Sequence, residues 1–189
     1  MSSSKTGRGA SLIVVRARPG KRTQGLISTG AGVLPCALGR SGTSALKREG
    51  DGATPLAVLR PLAILYRRER RPWGIGPVRL PALPVRPNLG WCDLPQDRNY
   101  NRPVRLPYRS RYEEMMRQDQ LYDICVVLDW NVLPRRRNGG SAIFLHIARP
   151  GAANGSGMEP TAGCIAVSPR AMARLLLLLG RKTRIVVLR

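Results

Sequence analysis

Apolar residues in this chain come in short runs rich in Val, Ile and Leu, and the runs are separated by Gly, Pro, Asn, Asp and Ser. Short β-branched runs between turn residues predict strands. "SLIVVRAR" (11–18) reads as a strand closed by the turn "PGKR", and "QGLIST" and "VLPCAL" on either side of "GAG" read as a hairpin. "GRSGTSALKREGDGATP" is turn chemistry throughout and leads into an apolar stretch from Leu56 to Tyr66. From Arg67 to Arg109 the chain is Pro-rich and irregular, with Trp73, Trp91, Tyr100 and Tyr108 spaced through it. This predicts a long covering loop, of a kind uncommon unless it lines a site. A short amphipathic helix is expected around Arg111 to Arg117. The clearest strands are "YDICVVLD" (122–129) and "SAIFLHI" (141–147), joined by "WNVLPRRRNGG" and followed by the short strand "GCIAV".

One helix announces itself. In "SPRAMARLLLLLGRK", Ser168 can accept from the free amides and Pro169 suits the first helical position. Gly180 can take a left-handed terminating conformation, so the main helix is predicted at about 169–179. "TRIVVLR" closes the chain as a strand. The expected fold class is mostly β with one or two short helices. Residues 1–10 read as a flexible tail and 11–189 as a single domain, since 189 residues with 43% apolar content suit one hydrophobic core.

Charge widens the functional field. Thirty-two Lys and Arg against 11 Asp and Glu give +21, the balance of a protein with a polyanionic partner, and a basic non-catalytic nucleic-acid-binding protein is one reading. The basic residues are mostly scattered Arg, however. Only Arg67-Arg68-Glu69-Arg70-Arg71 and Arg135-Arg136-Arg137 cluster, each beside Pro or Gly in an expected loop. Aromatic content is 5%, and no RNA-binding aromatic motif, zinc finger or helix-turn-helix is recognisable. No specific nucleic acid partner is therefore expected.

Cys36, Cys92, Cys125 and Cys164 form no Cys-x-x-Cys pair, and with one histidine they offer no zinc spacing, so neither metal nor cofactor is implied. Cys36, Cys92 and Cys125 sit in apolar surroundings, as small buried hydrophobes do. No apolar run approaches the roughly 20 residues that span a membrane. Near the start, the apolar core Leu12 to Val15 is too short for a secretory segment, so no export signal is readable.

Candidate chemistry rests on one pair. His146, the only histidine, ends the strand "AIFLH", and eighteen residues later comes Cys164 in "TAGC". A cysteine attacks carbonyls as its thiolate and needs a neighbouring base or a positive field to form it. A return loop containing Gly151, Gly155 and Gly157 can bring Cys164 to the strand beside His146. Gly163 lets the backbone approach a substrate, and the N–H groups of Gly163 and Cys164 can serve as an oxyanion hole, with the Thr161 hydroxyl nearby. From spacing alone, a packed core histidine and a core cysteine sharing a hairpin are the commoner arrangement.

The block from His146 through Thr161, Gly163 and Cys164 resembles the signature of the L,D-transpeptidases, cysteine enzymes that cross-link bacterial peptidoglycan: His, a loop, then Ser or Thr, His, Gly, Cys. "KREGDGATP", "GWCDLPQDRNYNRP", "LYD" and "GSAIFLH" also look like stretches of that family, in a subgroup reading Pro-Thr-Ala-Gly-Cys at the nucleophile. The resemblance covers about Leu12 to Leu188 and implies a fold of packed, twisted sheets. It implies Cys164 as nucleophile, His146 as general base, Gly163 and Cys164 as oxyanion hole and Thr161 in substrate binding. The implied reaction is attack on a tetrapeptide stem, release of D-Ala, and transfer of the acyl group to a neighbouring stem amine, or to water in an L,D-carboxypeptidase. The implied partner is peptidoglycan stem peptides, whose carboxylates Arg102, Arg105 or Arg149 can pair, although no motif pins these arginines and solvated side chains are the commoner reading. The implied place is the periplasm or cell envelope, with cytoplasm the alternative when no signal is readable. Ala162 stands where most members carry a second histidine, and Ala166 where many carry arginine. A sortase-like or protein-directed cysteine peptidase also has the order His then Cys, but the short loop between them favours the peptidoglycan enzymes.

Overall fold

The computed structural model describes residues 12–70, 77–151 and 157–189. The expected tail at 1–10, Ser11, Arg71, Trp73 and Gly155 lie outside the described residues. Along the chain run β1 (Leu12–Arg18), β2 (Lys21–Thr29), β3 (Gly32–Ala37), β4 (Thr43–Ser44), β5 (Thr54–Pro55), β6 (Val58–Leu59), β7 (Pro61–Tyr66), β8 (Ala82–Pro84), β9 (Leu89–Cys92) and β10 (Arg102–Arg105). β11 (Tyr112–Glu114), β12 (Ile124–Leu128), β13 (Phe144–Ile147), β14 (Ile165–Val167), α1 (Pro169–Leu178) and β15 (Arg184–Leu188) follow, and a single 3-10 turn occupies Arg68–Arg70.

Ten strands build one mixed, twisted sheet in the order β6-β15-β1-β2-β3-β14-β13-β12-β7-β8. β9 lies between β10 and β11 in a small antiparallel sheet, and β4 pairs with β5. The expected mostly-β class holds. Strand alternation then sorts the core. In β1, Ile13 and Val15 are buried while Leu12 and Arg16 are exposed. β12, β13 and β14, central in the sheet, are buried throughout and so read as continuous apolar runs. Leu145, Ile147, Val126 and Val167 belong to the main core, together with Met172, Leu175 and Leu176 of α1. Each such side chain contributes about 2 kcal/mol by burial. Phe144, Cys125, Val127 and Cys164 belong to a second core, completed by Trp91, Met115 and Tyr122 from the small-sheet side.

The helix begins as expected: the Ser168 side chain accepts from the Ala171 N–H at 3.2 Å and Pro169 is the first helical residue. Its end differs. Leu179 leaves in an extended conformation (φ −71°, ψ 133°) with its N–H on the Leu175 carbonyl, so Gly180 is not a left-handed cap. The Gly180 N–H instead binds Thr183 Oγ1 at 2.9 Å.

Two further expectations are corrected. No helix forms at Arg111 to Arg117, because Tyr112–Glu114 pairs antiparallel with β9; a segment this short gains more from a ladder than from isolated helical turns. The predicted loop from Arg67 to Arg109 contains β8, β9 and β10 and the 3-10 turn. Pro103 hides β10 from sequence reading, yet it is tolerated because β10 is an edge strand.

Candidate active site

β13 and β14 are adjacent and parallel, with His146 opposite Ala166 and Leu145 opposite Ile165. His146 and Cys164 therefore do not share a hairpin. β14 runs beside β13 in the same direction, and Cys164 immediately precedes it. Alternation along β13 puts His146 on the Phe144 face, away from the α1 core, and both His146 and Cys164 line a cleft of about 700 Å3.

His146 is buried, and its Nδ1 lies 2.8 Å from the Ile147 carbonyl oxygen. That carbonyl can only accept, so it assigns the proton to Nδ1 and leaves Nε2 with the free lone pair. The Tyr122 ring stands edge-on to the imidazole at 5.2 Å and to Phe144 at 5.8 Å, which fixes the ring plane. Burial lowers the His146 pKa to about 4. At neutral pH the imidazole is in its base form.

The thiol is equally unionised. Burial, then the charge of Glu113, pushes Cys164 up to about 12, against the pull of the Phe144 N–H. Cys164 Sγ accepts from that N–H at 3.3 Å and donates to the Ala142 carbonyl at 3.2 Å. In this resting geometry its hydrogen bonds run to the backbone and not to His146.

The loop that carries Cys164 is pinned from two sides. Thr161 Oγ1 donates to the Cys164 carbonyl at 2.7 Å and accepts from the Gly163 N–H at 3.1 Å. The fully buried Thr54 donates to the same carbonyl at 3.3 Å and accepts from the Gly39 N–H at 2.9 Å. Gly163 sits at φ +144°, where a Cβ would meet the Ala53 carbonyl oxygen at 3.0 Å. Thus the Thr161 hydroxyl and the Gly163 N–H are both engaged inside the loop.

The surrounding walls are charged on both sides. Glu49, Asp93, Glu113, Glu114 and Glu159 line the cleft, five of the chain's 11 acidic residues, together with Arg40, Lys47, Arg111, Arg117 and Arg149. Arg111 pairs with Asp93 at 2.9 Å, and buried Lys47 pairs with Asp51 at 2.5 Å. Arg117 grips Asp119 at 2.7 and 2.8 Å, and Arg149 ties Asp119 at 3.0 Å to Glu159 at 3.5 Å. Among the arginines suggested by sequence, Arg149 thus lines the cleft in an ion-pair chain, while Arg102 and Arg105 are exposed on β10 away from it. Ala162 is exposed in the cleft wall, and Ala166 is buried with Ala37 and Ala148 beside His146. Cys36, Cys92 and Cys125 are buried free thiols, as their surroundings predict. Among the described residues no group of His, Cys, Asp and Glu is arranged to hold a metal, and no helix is long and apolar enough to cross a membrane.

Sequence reading missed Tyr122, Glu113, Lys47 and Thr54. Thr54 reaches Cys164 across 110 positions of chain, and no local pattern marks such a contact.

A base-form imidazole and a thiol sharing one cleft on a mixed β-sheet are the parts of a cysteine-dependent acyl-transfer site. The sequence profile of the L,D-transpeptidase catalytic domain, YkuD, matches residues 12–187, and the chain belongs to that family. Its members are cysteine-dependent transpeptidases that act on peptidoglycan stem peptides and are typically found in the cell envelope. No curated protein and no solved structure shows significant similarity to the chain.

Proposed function

We propose that this protein is a peptidoglycan L,D-transpeptidase that forms a thioester between Cys164 and a tetrapeptide stem, releases D-Ala, and passes the acyl group to the amine of a neighbouring stem. The observation that carries the reading is the base-form His146, its Nδ1 proton held by the Ile147 carbonyl, in the same cleft as Cys164. The thiol turns from the Ala142 carbonyl toward Nε2, which takes its proton as Sγ attacks the carbonyl carbon of the third stem residue. His146 then returns that proton to the departing D-Ala amine. The oxyanion falls to the Cys164 N–H, since the Gly163 N–H is given to Thr161. The place of action is the envelope, where stem peptides are.

Intact-mass spectrometry of the purified protein with a tetrapeptide muropeptide, and separately with a carbapenem, tests the reading. The expected result is an adduct on the native protein that is absent from Cys164→Ala and strongly slowed in His146→Ala. A folded protein with a free Cys164 that gives neither adduct nor D-Ala would overturn it.

A further inference from the structure

The proton count of the second half-reaction exceeds what one histidine can handle. An alkyl ammonium keeps its proton up to pH about 10, so at neutral pH the acceptor must shed one proton before it attacks and a second afterwards. His146 takes the second and returns it to Sγ. The first needs another base.

Glu113 has the position for this. It lies on β11 at the wall of the same cleft, and its charge is felt at the Cys164 thiol. Tyr122, whose ring packs on His146, donates its hydroxyl to Glu113 Oε1 at 2.5 Å. Arg117 approaches the same oxygen at 4.0 Å. Both partners engage Oε1, and the side chain, 28% exposed, lines the cleft.

Resting on the transpeptidase reading above, we propose that Glu113 is the acceptor-amine residue: its carboxylate seats the incoming ammonium and takes the first of its two protons. The ammonium gives a proton to Oε2 and becomes a free amine. Its nitrogen then attacks the thioester carbon, Nε2 of His146 takes the second proton, the C–S bond breaks, and that proton passes to Sγ. The products are the amide, the free Cys164 thiol, and one proton that Glu113 releases to solvent. The carboxyl suits the task, because burial holds it above the ordinary carboxylate range. The charges of Asp93 and Glu49 push the same way, while the Tyr122 hydroxyl and Arg117 pull it down.

The test follows the partition of the thioester between cross-link and hydrolysis in the whole protein, with a tripeptide stem carrying a free side-chain amine as acceptor. In Glu113→Gln the ratio of transfer to hydrolysis falls about a hundredfold at neutral pH and recovers as the pH nears that of the free amine. A ratio equal to that of the native protein, or a fall that higher pH does not repair, overturns the assignment. Tyr122→Phe keeps the carboxylate but removes the hydrogen bond that lowers its pKa, so the acid limb of transfer moves to higher pH; an unmoved limb also overturns it. Thioester formation is followed by mass in the same samples. A native protein that forms none defeats the transpeptidase reading, and the role of Glu113 falls with it.

Discussion

Replacing Thr161 by Val tests whether its hydroxyl holds the nucleophile or holds the substrate. Valine keeps the shape and removes a donor to the Cys164 carbonyl at 2.7 Å and an acceptor for the Gly163 N–H at 3.1 Å. Thr54 still reaches that carbonyl at 3.3 Å, so the loop is loosened rather than freed. Two hydrogen bonds at about 1 kcal/mol each, with one backbone N–H left poorly satisfied, sum to about 2–3 kcal/mol. In a domain of this size that lowers Tm by roughly 4–12 °C. On the proposed transpeptidase reading the same loop carries the attacking Sγ, so kcat for D-Ala release falls by about tenfold or more. Thr161→Ser keeps the hydroxyl and restores both. Thermal unfolding and steady-state kinetics on the three proteins decide it. An unchanged Tm in Thr161→Val, with KM raised and kcat intact, would refute the pinning role and give the hydroxyl to substrate binding instead.

Other consequences are as direct. Since burial puts Cys164 at about 12, its alkylation by iodoacetamide should keep rising with pH past the ordinary thiol range near 9.0; a plateau at neutral pH would reveal a preformed thiolate. His146, neutral when folded down to about 4 but protonated from about 6.5 when unfolded, contributes stability that is full above 6.5 and is lost as pH falls through 4. Acylation follows the same limb, so a rate that halves near 6.5 in pH-rate measurements would contradict the buried, base-form ring. Gly39→Ala places a Cβ 2.3 Å from the Gly52 carbonyl oxygen and should cost more than about 3 kcal/mol in denaturant unfolding, or leave no soluble protein; a near-native midpoint would mean that the Gly39 turn shifts freely.

What was legible in the sequence is what is local. Ser168 and Pro169 start α1 through contacts within four residues, and the β-branched runs of β1 and β15 declare strands whatever their partners. Partner choice is not local. The glycines between His146 and Cys164 look like a turn, yet β14 lies parallel to β13 and pairs antiparallel with β3 on its other side. Arg111 to Glu114 has helical composition but takes its structure from Leu89–Cys92, some twenty positions upstream. In the same way the His146 and Cys164 pair was readable as residue types at a spacing, whereas Thr54, Tyr122 and Glu113 join the site only through tertiary contacts.

The net charge of +21 describes a surface other than the cleft. The cleft holds five acidic and five basic side chains, so the whole excess lies outside it. Within the cleft, Arg111, Arg117 and Arg149 are tied to carboxylates. Affinity for a polyanion would rest on that outer surface, salt-sensitive and indifferent to the thiol. A stem peptide is the opposite kind of ligand, carrying carboxylates and an amine on one short chain. A cleft that holds ion pairs such as Arg111–Asp93 and Arg149–Glu159 can exchange one internal pair for two with such a zwitterion, which a one-signed cleft cannot do.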